Sequence, residues 1–206
     1  MLYQRMSLLN YVENITKSRE YFDRFDAANC TNSKKSWKKK RNYELIVEYS
    51  KILCAVCVRV KLIKCGFVFY KRGLQRLRSI ITIEKQKSKI SEIAAQLKII
   101  INELERHYPK IYSSVLSNTG NQLKMFSSFT SVKIVLELIA QELFRYQVTW
   151  ERIAAFYAIT GALAVDCVKT GHSNYVLHLV DAAAFFIGTY AAKWISEQGG
   201  WVCKLF

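Results

Sequence analysis

The chain has 206 residues, 51% of them hydrophobic, with eight glycines, one proline and a formal net charge of +15. That length gives one domain of ordinary size with a real core. A single proline argues for long helices over a turn-rich sheet protein, and no run reaches about eighteen uninterrupted apolar residues, so no membrane span is evident.

The charge is concentrated. Residues 1–33 hold four basic and four acidic groups, residues 90–206 hold ten and nine, and residues 34–89 hold seventeen and three. The middle segment thus carries almost all of the excess. Its densest part, KKSWKKKR, contains Lys34, Lys35, Lys38, Lys39, Lys40 and Arg41. Such a run fits an anionic membrane surface, a nuclear signal or a phosphate patch, and equally a solvated linker. MLYQRMSLLNYVEN has no unbroken apolar core, so no secretory leader is predicted. The six cysteines (30, 54, 57, 65, 167 and 203) are accordingly expected as reduced cytosolic thiols. Cys54 and Cys57 have the CxxC spacing, but Ile52, Leu53, Val56 and Val58 around them point to a packed helix face, and no second pair completes a metal site.

In chain order, residues 1–41 are predicted to be a flexible extension ending in the basic run, and 42–206 a helical bundle. A helix starts near Asn42, read as its N-cap, and continues to about Phe69, with Gly66 near the end. Residues 70–88 form a basic connector of mixed helical or strand character. SKISEIAAQLKIIINELERHY (88–108) is an amphipathic helix closed by Pro109. TSVKIVLELIAQELFR (130–145) is another, with Val132, Val135, Ile139 and Leu143 along one stripe. Thr149 caps the next helix. Between Arg152 and Asp166 its residues carry no charge at all. A helix apolar on every side either spans a bilayer or is enclosed by other helices, and this run is too short to span, since about 20 residues are needed. It is therefore predicted to be the buried centre of an all-α bundle. A last helix occupies 173–195 and ends at GGW (199–201). The three histidines (107, 172 and 178) lie in no catalytic or ligand spacing, so neither an enzyme nor a metal or cofactor site is predicted.

ELFRYQVTWERIAAFYAITGALAVDCV resembles the first homology motif of the Bcl-2 family of apoptosis regulators. WISEQGGW (194–201), with Trp194, Gly199, Gly200 and Trp201, resembles the second motif at the expected distance. ELIVEYSKILCAVCVRVKLIKCGFVF (44–69) is similar to the first helix with its fourth motif. AVDCV and NELERHYPKIYSSV are most like the Bok branch. The resemblance implies a Bcl-type bundle that regulates apoptosis by helix-in-groove binding to relatives, at intracellular membranes such as the mitochondrial outer membrane and the endoplasmic reticulum. It tilts towards promoting death, though pro-survival members share the fold, and a nuclear or nucleic-acid adaptor using 34–89 is the alternative from another class. Helices 152–168 and 175–195 would be the segments that enter lipid.

The groove implied by the resemblance is lined by Ile139, Glu142, Leu143, Val148, Trp150, Glu151, Arg152 and Phe156. In the family the arginine at Arg152 pairs with an aspartate of the inserted helix, and a glycine stands where this chain has Glu151, which adds bulk and charge at the groove wall. The family's third motif, the helix that enters another member's groove, is matched by Ile93, Leu97, Ile100 and Leu104 at steps of four, three and four. Its Gly-Asp pair is Ile101-Asn102 here. Four buried aliphatic side chains supply roughly 6–12 kcal/mol gross, against about 1.5–3 kcal/mol for one charged hydrogen bond. Burial would drive such a complex and the ion pair would fix its register.

Overall fold

The computed structural model describes residues 36–69, 71–82, 87–113, 115 and 128–201. Of the predicted extension 1–41, residues 1–35, Lys34 and Lys35 included, lie outside the described residues. Helix α1 spans Ser36–Lys64, α2 Lys71–Thr82, α3 Lys87–His107, α4 Pro109–Ser113, α5 Phe129–Phe144, α6 Trp150–Lys169, α7 Tyr175–Tyr190 and α8 Ala192–Glu197. A single 3-10 turn, Phe67–Phe69, separates α1 from α2, and no strand occurs among the described residues. The fold is the all-α bundle read from the sequence.

Helix α6 is its axis. Every residue from Ile153 to Cys167 is buried, and α1, α3, α4, α5 and α7 all pack against it. Thr149 is the N-cap, with extended backbone and a side chain that accepts from the Arg152 N–H at 3.4 Å. Burial this complete requires internal partners for each polar group. Thr160 Oγ1 donates back to the Phe156 carbonyl at 2.8 Å, Tyr157 Oη donates to the Ser50 carbonyl of α1, and Asp166 accepts from the backbone N–H of Val115 at 2.8 Å. The Tyr157 phenol and the Cys54 thiol are pushed well above their usual range by burial, and Cys57 to about 12. Cys54 and Cys57 are thus uncharged thiols on a packed face of α1.

Helix α1 begins at Ser36, six residues before the predicted cap at Asn42. Lysine and arginine are good helix formers, and nothing in the basic run interrupts the backbone, so Lys38, Lys39, Lys40 and Arg41 belong to the helix. At its other end Gly66 takes a left-handed turn (φ 85°), closer to Lys64 than the predicted stop. The connector 70–88 contains α2, a helix that buries Leu74 and Leu77 against the bundle. The final predicted helix is broken at Ala191 into α7 and α8, although neither glycine nor proline stands there.

Helices α1 and α6 meet where α6 has a glycine. A Cβ on Gly161 would lie 3.2 Å from Lys61 Cβ and 3.3 Å from its Cγ. The lysine stem crosses the glycine, and its ammonium continues to Glu105 on α3 at 2.7 Å. Glycine in a helix costs about 1 kcal/mol relative to alanine, and here it buys the close crossing. Replacing it with a large side chain forces the helices apart. Gly161→Leu is expected to lower unfolding stability by more than about 1 kcal/mol in urea titration; an unshifted midpoint would mean that this crossing tolerates expansion.

Candidate functional site

Three tryptophans join the two ends of the motif-bearing region. Trp150, at the start of α6, packs edge-on against Trp194 of α8 at 5.0 Å between ring centroids, and against Trp201 at 5.4 Å. Trp201 stacks on Tyr157 at 6.4 Å, and its indole N–H donates to the Ile46 carbonyl of α1 at 3.1 Å. Two successive glycines make this return. Gly199 and Gly200 have φ of 89° and 88°, a conformation L-residues rarely adopt, and turn the chain back onto the bundle. The Gly200 N–H closes the end of α8 on the Ile195 carbonyl. The second-motif residues are therefore a clasp: half-buried Trp194, two turning glycines and buried Trp201.

Beside it lies the corner between α5 and α6. Arg152, in the first turn of α6, sends Nη1 to two backbone carbonyls, Leu143 and Gln147, each at 2.9 Å. Leu143 is in the last turn of α5, where carbonyls lack helical donors and the helix dipole is negative, so a guanidinium there is favoured. Glu142 pairs with Arg145 at 3.5 Å on the same turn. Around the corner Glu142, Val148, Trp150, Glu151 and Arg152 are half-buried. Ile139, Leu143 and Phe156 lie beneath them at 2% exposure or less, and the Phe156 ring meets Phe144 edge-on at 5.7 Å. The eight predicted groove positions thus divide into a half-exposed set and a covered apolar set.

The third-motif-like residues lie on α3, which packs on α1, α4 and α6. Ile93, Leu97 and Leu104 are buried and Ile100 is half-buried. Ile90 and Ile101 join the buried stripe, Ile101 being the motif's glycine position. Asn102, at the motif's aspartate position, is exposed, and its Oδ1 accepts from Lys64 Nζ of α1 at 2.6 Å. Lys64 also reaches Glu105 at 3.5 Å. A polar strip of Lys61, Lys64, Asn102 and Glu105 therefore runs along the α1–α3 seam. Sequence reasoning missed this strip, because partners 38 to 44 residues apart leave no local signal. It also missed the acceptors of Arg152, which are backbone carbonyls and hence independent of residue type. Of the basic run, Lys34 and Lys35 are outside the described residues, and the described side chains of α1 begin at Tyr43. Among the described residues no cluster of His, Cys, Asp or Glu is placed to hold a metal ion.

A central helix enclosed by amphipathic ones, entered through the tryptophan-arginine corner, defines the bundle of apoptosis regulators. The family profile described as apoptosis regulator proteins, Bcl-2 family, matches residues 97–201, and the chain belongs to that family. It is similar to Bcl-2-related ovarian killer protein homolog A of Danio rerio, with 29% identity over 168 residues, covering 76% of this chain and 70% of that protein. The human Bcl-2-related ovarian killer protein is 29% identical over 113 residues, 55% of this chain and 52% of its own. The matched stretch thus spans from about half to 70% of these relatives. The crystal structure of chicken BOK superposes with a TM-score of 0.64 at 25% identity, over 78% of this chain and 93% of that one. Trichoplax adhaerens trBcl-2L2, solved bound to trBak BH3, shares the fold with a TM-score of 0.60 at 21% identity, over 76% of this chain and 94% of that one. The protein is a Bok-like member of a family of non-enzymatic apoptosis regulators.

The clasp makes a direct prediction. Trp201→Ala removes the stack on Tyr157, the contact with Trp150 and the bond to Ile46, and should cost about 3–5 kcal/mol in equilibrium unfolding. A loss below about 1 kcal/mol would show that α8 and the chain after it contribute little to the bundle.

Proposed function

We propose that the protein regulates apoptosis by accepting the third-motif helix of a relative at the α5–α6 corner, and by associating with intracellular membranes. The observation that carries the first half is the arrangement at Arg152: a cation at a helix start, beside a half-buried rim, above the apolar floor of Ile139, Leu143 and Phe156. Four apolar side chains of an incoming helix would meet that floor, and an aspartate would meet the guanidinium. Because the floor is covered in this conformation, entry requires the rim to open, and affinity is reduced by that step. Glu151 adds a carboxylate next to the arginine, which opposes an acidic ligand.

The partners on this reading are Bcl-family proteins, either relatives or a second copy. The resemblance to ovarian killer proteins favours promotion of death over survival. Expression in cells with and without a death stimulus tests the sign, and increased survival would reverse it. The sites of action are the mitochondrial outer membrane and the endoplasmic reticulum. No described helix is long and apolar enough to cross a membrane. On this reading association starts from the basic residues, and deeper insertion of α6 and α7 follows once the bundle opens.

A fluorescent third-motif peptide with the usual aspartate should bind, and Arg152→Ala should weaken it by about 1–3 kcal/mol. Because Arg152 also ties Leu143 and Gln147, a melting curve of the variant accompanies the titration. Equal affinities in parent and variant would remove Arg152 from the site. Glu151→Gly should tighten binding, and no change would show that the carboxylate stands clear of the ligand.

Adsorption to vesicles rich in anionic lipid should weaken steeply with salt, since each Lys or Arg near such a surface contributes about 1 kcal/mol that salt screens. Neutralising residues 34–41 should reduce it, while release of vesicle contents should be slower and salt-resistant. Adsorption indifferent to both salt and these substitutions would rule out the electrostatic first stage.

A further inference from the structure

From Arg59 to Ile83 the chain carries seven basic residues and no acidic one. The fold gathers part of this stretch around an open hollow of about 490 Å³ between the end of α1 and α2. It is lined by Arg59, Val68, Leu74, Gln75, Arg78, Ser79 and Thr82, with no carboxylate among them. The size falls within the range of about 300–1,000 Å³ typical of small-ligand sites. Arg59 Nε is shut off from solvent and donates to no acceptor among the described residues, which is unusual for a guanidinium. Arg78, one turn from Leu74 on α2, is exposed. The Ser79 and Thr82 hydroxyls donate to carbonyls of their own helix, at 3.1 and 2.9 Å, so their protons are engaged. The two arginines are therefore the charged donors of the hollow.

We propose that this hollow binds a phosphomonoester group, held between the guanidinium groups of Arg59 and Arg78. Guanidinium groups offer forked N–H donors that match phosphate oxygens, and both arginines line the hollow. The group can come from a phosphorylated lipid headgroup or from a free inositol phosphate. The lipid is favoured by Val68, which lines the hollow with the two arginines and is 60% exposed, a pairing of apolar and basic surface suited to a lipid interface. The lipid form of the site rests on the membrane association proposed above and gives it an address on the fold. Helix α2 is the element that creates the site, since Leu74 and Leu77 anchor it to the bundle and hold Arg78 over the end of α1.

The test is flotation of the full chain with phosphatidylcholine vesicles, with and without a phosphoinositide, at fixed salt. Arg59→Gln with Arg78→Gln should weaken phosphoinositide-dependent flotation at least about tenfold. Arg72→Gln with Arg76→Gln removes the same charge from the exposed part of α2 outside the hollow, and should weaken it much less. Arg78→Gln alone, at an exposed position, should already show a loss in a chain with the parent's melting curve. Inositol trisphosphate should displace the parent from the vesicles if the phosphomonoester is the recognised group. Its direct affinity for the parent without vesicles separates the sources: binding comparable to that of the vesicles assigns the free phosphomonoester, and much weaker binding assigns the lipid. Equal losses in the two double variants would reduce the effect to net charge and overturn the site. So would RNA displacing the vesicles through the same two arginines. A parent that binds phosphoinositide vesicles while the Arg59 and Arg78 variants match it overturns the site alone. A parent that ignores both vesicles and inositol trisphosphate overturns the site and the membrane association together.

Discussion

Everything in this bundle follows from the need to cover α6. A helix with fifteen consecutive buried residues, Ile153 to Cys167, has no face to offer water, and its neighbours exist to enclose it. Alanine and glycine along it let α1 and α7 approach closely, as the Lys61 stem over Gly161 shows. The other helices then need only one apolar stripe each and can spend their outer faces on charge. The Trp150–Trp194–Trp201 cluster is the same demand met at the helix entrance, where enclosure by helices alone would leave an open end.

Function in such a molecule is an alternative use of the covering surface. The residues that line the α5–α6 corner also hold it together: Arg152 ties two carbonyls, and Phe156 interlocks with Phe144. The stripe of α3 that would serve as a ligand elsewhere is an internal wall here, held along one edge by the polar strip to α1. On the proposed reading, binding and folding would draw on the same contacts. Regulation is then a question of which surface covers which core.

The central helix was legible because its signal is compositional, a charge-free run bounded by Arg152 and Asp166. Thr149 was legible as a cap because threonine before an apolar helix has a local mechanism. The candidate groove residues were grouped only by the motif resemblance, and their layering was not legible. Ile139 and Phe156 are sealed while Val148 and Glu151 are half-exposed, a distinction made by neighbours distant in sequence. Helix α2 was hidden by its own charge, since arginines at every second to fourth position drew attention away from Leu74 and Leu77 at helical spacing. Ile101 took a buried place beside Ile100 because a helix packed between two neighbours buries a wider arc than a single stripe. The break at Ala191 has no residue-level signal: the Ala191 N–H still bonds Ile187, its carbonyl accepts from Ile195, and only its backbone angles depart.

The bond from Trp201 to Ile46 spans 155 residues. During synthesis the segments that enclose α6 appear in order, and this contact forms only after the chain has passed residue 201. Until then the most deeply buried helix among those described lacks part of its cover. Contacts of such long sequence separation form slowly, and incompletely covered apolar surface is prone to aggregate. The nascent protein thus passes through an interval in which chaperones, neighbouring chains and lipid compete for the surface that the finished bundle hides.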